Sequence, residues 1–173
     1  MSLYNDKIVF VPSCLLCPSL MVKKKNYCDY WRKEFLFFLN EKGYSIIQMP
    51  CPEASFPSFY SGLQRRPHGI NYYEELLGFK EHCFMLGDQV LLQIDAFYNN
   101  GYMVDAIIGI EHSPTCAANY MYTCHGTQKR QGIFIQYISS MIDERGYQIP
   151  IIGINRRFPQ KAIQLLMNNN NNS

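Results

Sequence analysis

The sequence predicts a three-layer, doubly wound α/β domain with a mostly parallel sheet of four to five strands. Three observations predict it. Short, β-branched apolar runs at 7–11, 44–48, 103–110 and 149–154 alternate with segments of helical periodicity. The first two runs flank one helical pattern, and strand, helix and strand in close succession make a βαβ unit with parallel strands and a right-handed crossover. Hydrophobic residues are 47% and charged residues only 17% of a 173-residue chain, which suits one domain with a well-filled interior.

The elements follow in order. The run at 7–11 is stopped by Pro12 and reads as a buried strand. Over 29–42, Trp31, Phe35, Phe38 and Leu39 recur at helical spacing, and Gly43 supplies the stop. The strand at 44–48 closes at Met49 and Pro50. Residues 52–69 are rich in Pro, Ser and Gly and predict a long loop, of the length that in compact domains is usually functional. Helical patterning resumes at 72–77 and at 87–98, where Val90, Leu91, Ile94 and Phe97 share a face. The run at 103–110 is almost continuously apolar, as a central strand covered on both faces should be. A polar loop is predicted over 111–131, then a helix over 132–145 with Ile133, Tyr137, Ile138 and Met141 on one side. Pro150 interrupts the fourth strand and places it towards an edge. A last helix covers 159–167. The organisation is a single α/β domain over 1–167, of Rossmann or flavodoxin type, with a polar Asn-rich tail at 168–173.

A net charge of +2 gives no reason to expect nucleic acid, and Lys23, Lys24 and Lys25 read as a solvated turn. No stretch reaches the roughly 18 apolar residues of a membrane helix, and the N-terminus has no signal-peptide pattern. The expectation is a cytoplasmic protein, monomer or homodimer, away from nucleic acid and membrane.

Seven cysteines, Cys14, Cys17, Cys28, Cys51, Cys83, Cys116 and Cys124, are an odd number in a chain expected to meet a reducing environment. Metal, cluster or thiol chemistry is therefore expected ahead of a disulfide framework. Cys14 lies three residues past Val11, Cys51 three past Gln48, and Cys116 six past Ile110. In a parallel sheet all three following loops open on one rim, where open α/β sheets bind ligands. Three thiolates with no dedicated fourth ligand suit zinc or a cubane iron–sulfur cluster, and spacing alone does not choose between them. Cys17 is a possible sulfur acceptor or spare ligand; Cys28, Cys83 and Cys124 default to packing.

The motifs around these cysteines carry a resemblance. Ser13, Cys14 and Leu15 after the first strand, Pro50-Cys51-Pro52-Glu53 after the second, Gly62-Leu63 with Arg65-Arg66-Pro67, and Ser113-Pro114-Thr115-Cys116 resemble, in order, segments of the thiouracil desulfidase family. The likeness runs from about residue 7 to 154. It implies a 4Fe-4S cluster on Cys14, Cys51 and Cys116 with one iron open, and removal of sulfur from a thiolated small molecule such as a thiouracil. The implied reaction is hydrolytic, C=S becoming C=O without redox change. Glu53, two residues from a ligand, is the expected acid–base group, and Ser113 the expected hydroxyl at the reacting sulfur. Arg65, with Arg66, and Glu111 are the expected substrate contacts. His112 reads as a hydrogen-bonded loop residue. Cys17 stands where the family pattern has glycine, Ala117 replaces the glycine after the third cysteine, and Phe56, Phe59 and Tyr60 enlarge the loop after Cys51. Two other classes stay open: a non-catalytic cluster or zinc module that binds a partner through that aromatic loop, and a single-cysteine nucleophile with His112 as base.

Overall fold

The computed structural model describes residues 7–21, 30–57, 69–123 and 125–170. Its centre is a four-stranded parallel sheet of β1 (Ile8–Pro12), β2 (Ser45–Met49), β3 (Ala106–Ile110) and β6 (Ile151–Ile154), in the order β2-β1-β3-β6. The register aligns Pro12 with Met49 and Ile110 with Ile154, so the strands end together along one rim. The predicted three-layer α/β architecture is the one observed, and the fourth strand does lie at an edge.

Two faces of the sheet are covered by separate cores, as the period of two in a strand requires. Ile8, Phe10 and Ile107 face one way, into a cluster with α5 (Phe79–Asn99) and α6 (Ile133–Glu144). Val9, Val11, Ile108, Ile110, Ile152 and Ile154 face the other way, against α2 (Tyr30–Glu41) and α7 (Pro159–Asn170). The alternation along β1 and β3 is what makes both faces apolar at once. α5 and α6 approach closely because Gly87 has no side chain: a Cβ there would stand 2.5 Å from Tyr137 Cδ1.

Several boundaries differ from the sequence reading. The helical patterns at 72–77 and 87–98 correspond to α4 (Ile70–Glu75) and to α5, which starts already at Phe79. Gly78, at φ 78°, separates them in the left-handed region that glycine enters readily. Short helical turns, α1 (Ser13–Leu16) and α3 (Pro52–Ser55), follow β1 and β2 directly. The polar stretch read as a loop contains an antiparallel ribbon, β4 (Tyr120–Thr123) and β5 (Gly126–Lys129). Its residues are mostly exposed, so it lacks the apolar alternation by which a strand is recognised. α7 continues to Asn170, into the polar tail.

Asp105 extends the pairing of β1 and β3: its N–H donates to Ile8 O at 2.8 Å and its Oδ2 accepts from Ile8 N at 2.7 Å. Burial raises its pKa above the ordinary value, while the Ile8 N–H and the Lys7 charge pull the other way. A carboxyl raised on folding contributes stability below its unfolded pKa and loses it as pH rises through the folded value. Asp105→Asn keeps an acceptor for Ile8. It should match or exceed the parent in melting temperature at pH 7 and lose that advantage below about pH 4, the unfolded carboxyl range, when melting is followed by circular dichroism across pH. A variant that melts lower at pH 7 would contradict this account.

Candidate functional site

Cys14 sits in α1, immediately past β1, and Cys51 occupies the N-cap of α3, immediately past β2. Because Pro12 and Met49 are paired in register, each of these cysteines lies two residues beyond the same rung of the sheet. The turn at α3 is closed by Ala54 and Ser55 N–H groups donating to Cys51 O at 3.1 and 3.0 Å. Ser55 Oγ adds a bond to the same carbonyl at 2.9 Å and lies 2.8 Å from His82 Nε2 on α5. A main-chain carbonyl only accepts, so Ser55 donates to Cys51 and His82 Nε2–H is the donor to Ser55. The helix on the sheet's covered face thereby pins the turn that presents Cys51 and Glu53.

The loop after β3 returns sharply on itself. Ile110 N donates to Cys116 O at 2.8 Å, Ala117 N to Ser113 O at 3.2 Å, and Glu111 N to Ile154 O at 3.0 Å. The first N–H groups of α6, which have no partner within their own helix, donate into this loop. Ile133 reaches Pro114 O at 3.1 Å and Phe134 reaches Thr115 O at 3.1 Å. Such an approach needs glycine on both sides. A Cβ on Gly109 would be 2.6 Å from Cys116 O, and one on Gly132 would be 2.3 Å from Thr115 C. Ser113 Oγ accepts from Cys116 N at 3.1 Å, so this hydroxyl shapes the turn that carries the cysteine.

Cys116 is 6% exposed, and Cys14 is half-buried. The Cys14 thiol is pushed up to about 12, first by burial and then by Cys51, while Arg156 opposes. The Cys116 thiol is also held well above its ordinary value, first by burial and then by Cys14 and Cys51. Cys14 thus feels Cys51, and Cys116 feels both Cys14 and Cys51, across loops far apart in sequence. Among the described residues, no three His, Cys, Asp or Glu side chains are grouped to hold one metal ion. A mononuclear zinc site would need its sulfurs about 2.3 Å from a single ion.

Glu53 is 8% exposed and lies beside the thiols. Its Oε1 accepts from Thr115 Oγ1 at 2.9 Å and its Oε2 from Tyr73 Oη at 3.1 Å. It lies in the first turn of α3. Thr115 Oγ1 is also 3.5 Å from Cys116 Sγ, so one hydroxyl touches both the carboxyl and a thiol. Sequence reasoning passed over both partners. Thr115 adjoins Cys116 and was within reach of the motif, whereas Tyr73 sits in a helix 20 residues from Glu53 with no local signal.

The remaining site candidates separate. Glu111 is buried, and its carboxyl accepts from Asn119 N, Asn119 Nδ2 and Tyr120 N at 3.2, 2.9 and 2.8 Å. It also fills the space left open by Gly153, where a Cβ would lie 1.8 Å from Glu111 Oε1. His112 takes a left-handed backbone, φ 67°, and stacks on Tyr122 with centroids 4.2 Å apart. Cys17 is an exposed thiol at the end of α1, with its N–H bonded to Ser13 O. Cys83 is buried on α5, its thiol pushed to about 12 by burial and then by Glu53 and Cys51. Arg65, Arg66, Phe59, Tyr60, Cys28 and Cys124 lie outside the described residues. Arg156, which sequence reasoning missed, follows β6 at the same rim and acts on Cys14.

Taken together, the fold defines a Rossmann-like α/β protein with thiols gathered past the carboxyl ends of its strands. No family model matches the chain, and no curated protein matches it. Among solved structures it is similar to the 4Fe-4S-dependent thiouracil desulfidase TudS, over 93% of this chain and 99% of that one. The identity is 16% and the TM-score 0.54, so the likeness establishes the shared fold.

Ser13 bears on what the site holds. Its side chain is 2% exposed, and among the described residues its Oγ has no hydrogen-bond partner. A buried, unpaired hydroxyl is destabilising by about 1–3 kcal/mol. Ser13→Ala in the chain without cofactor should therefore leave stability unchanged or raise it by about 1 kcal/mol in urea melts. A loss of that size would reveal a partner for the hydroxyl within the chain itself.

Proposed function

We propose that the protein is an iron–sulfur-dependent desulfidase, converting C=S to C=O in a small thiolated molecule of thiouracil type. Water supplies the oxygen, the sulfur leaves as sulfide, and no electrons are exchanged overall. The observation that carries this reading is the convergence of Cys14, Cys51 and Cys116 from three strand-end loops beside buried Glu53.

The donor set fits such a group. Cys51 raises the Cys14 thiol, and Cys14 and Cys51 raise that of Cys116, so these thiols would repel one another once ionised, and a cationic metal centre would relieve that repulsion. In this reading Cys14, Cys51 and Cys116 are the ligands. A cluster with one iron left open supplies, when bound, a Lewis acid for sulfur.

The chain's own residues do the rest. Glu53 takes a proton from the water that adds at carbon and returns one to the departing sulfur. Ser113 holds the Cys116 turn and keeps a hydroxyl at the reacting sulfur. Glu111, a candidate substrate contact, also orders the loop through Asn119 and Tyr120. Arg65 is the candidate contact for an anionic substituent. A nucleophilic cysteine with His112 as base is disfavoured, because burial holds Cys14 and Cys116 far from the thiolate such chemistry needs. The protein is expected to act in the cytoplasm as a monomer or homodimer, without nucleic acid or membrane.

The test is anaerobic reconstitution, with iron and acid-labile sulfide assayed beside sulfide release from 2-thiouracil. Cys14→Ser, Cys51→Ser and Cys116→Ser should each lose the cluster's colour and turnover together. Cys83→Ala should keep both. Glu53→Gln should retain iron yet slow turnover by roughly 10²–10⁴, the scale of general acid–base catalysis. One lethal cysteine with two mild ones would turn the assignment towards a thiol enzyme.

A further inference from the structure

We infer that Tyr73 is a positioning residue for Glu53, fixing the carboxyl from the side opposite Thr115. The inference rests on the proposed role of Glu53. A glutamate side chain has three rotatable bonds, and an acid–base group is effective only within hydrogen-bond reach of its proton and in the right orientation. Here each carboxyl oxygen has its own donor, from a different segment of the chain: Thr115 from the loop after β3, Tyr73 from α4.

The two donors are not equivalent. Thr115 has one hydroxyl proton and three acceptors in range, Glu53 Oε1 at 2.9 Å, Ser113 Oγ at 3.3 Å and Cys116 Sγ at 3.5 Å. Whenever that proton turns to the sulfur, the bond from Tyr73 still anchors the carboxyl. Tyr73 is placed to do this by packing. It is 2% exposed, and its ring lies 4.8 Å from that of Phe79 and 5.2 Å from that of Tyr72. Phe79 is braced in turn by Phe56, which ends the turn carrying Glu53, at 5.2 Å. The aromatic cluster fixes where the phenol oxygen stands independently of the bond it makes. A buried tyrosine does need a partner for its hydroxyl, so a purely structural role is the competing explanation.

Tyr73→Phe separates them, because it keeps the ring and deletes the donor. The protein is reconstituted anaerobically as the parent, Tyr73→Phe, Glu53→Gln and double variant, with 2-thiouracil as probe. Positioning predicts a kcat lowered about 2- to 10-fold, an interaction of the size of one hydrogen bond, with KM and bound iron within about twofold. It also predicts that the double variant is no slower than Glu53→Gln, since residues acting through one another are not additive. An unchanged kcat in Tyr73→Phe, or additive losses, would overturn the inference. If Glu53→Gln itself turns over normally, it is the reading of Glu53 that fails. A substrate-free measurement covers a parent inactive on the probe. The carboxyl ¹³C resonance of Glu53, assigned by its loss in Glu53→Gln, should shift in Tyr73→Phe, and an unmoved resonance sinks the positioning role. Melting curves of Tyr73→Phe show whether the fold is intact for both readings.

Discussion

The return of the chain after β3, through Ser113 to Cys116, is the constraint on which the site depends. It brings Cys116 back over the end of its own strand, so Ile110 N can bond Cys116 O. That approach is possible because Gly109 lies below and Gly132 beside it; at either position a Cβ would stand well inside contact distance of the loop's main chain. The bonds from α6 then complete the enclosure. Their donors are the N–H groups that a helix start leaves without partners, and their acceptors are loop carbonyls that would otherwise be buried unpaired. One arrangement thus satisfies both segments, and Thr115 is delivered to Glu53 as a consequence.

From that loop the network spreads to the turn after β2, to α4 and α5, and to the ribbon. Thr115 joins β3 to the turn after β2 through Glu53, and Tyr73 brings in α4. Ser55 and His82 tie the same turn to α5. α4 is linked onward to the ribbon, where Arg130, just past β5, pairs with Glu74. That pair is exposed and adds little to stability by itself. The buried hydroxyl–carboxyl bonds matter more, because an unmade one leaves a polar group without water or partner.

The strands and the order of helices were legible because their signal is local: apolar runs of period two or none, and apolar stripes of period 3.6. The shared rim was legible at one remove. Parallel strands must end together, so Cys14 and Cys51, each three residues past a predicted strand, had to be neighbours. The ribbon from Tyr120 to Lys129 was missed since most of its residues face solvent. Glu53 was marked from its place beside Cys51, but its two donors were not. Tyr73 reaches it only through the packing of Tyr73, Phe79 and Phe56, which no spacing rule encodes. Glu111, expected as a substrate contact, has bonds to Asn119 and Tyr120 and a fit against Gly153 that its motif did not announce. A motif identifies which residues are present at a site; it does not say which of them point inward.

The electrostatics also give direction to the chemistry. Burial raises the thiol of Cys14, and Cys51 adds to it. A thiol in that state is a poor nucleophile, because the reactive species is the thiolate. The same conditions make a metal centre a good occupant, since positive charge is the one change that stabilises several thiolates at once in a place of low polarity. Arg156 at the end of β6 already acts in that sense on Cys14, though from one side only. The features that argue against a cysteine acting alone are thus the ones that favour the proposed joint role of the three, with Glu53 as their proposed proton carrier.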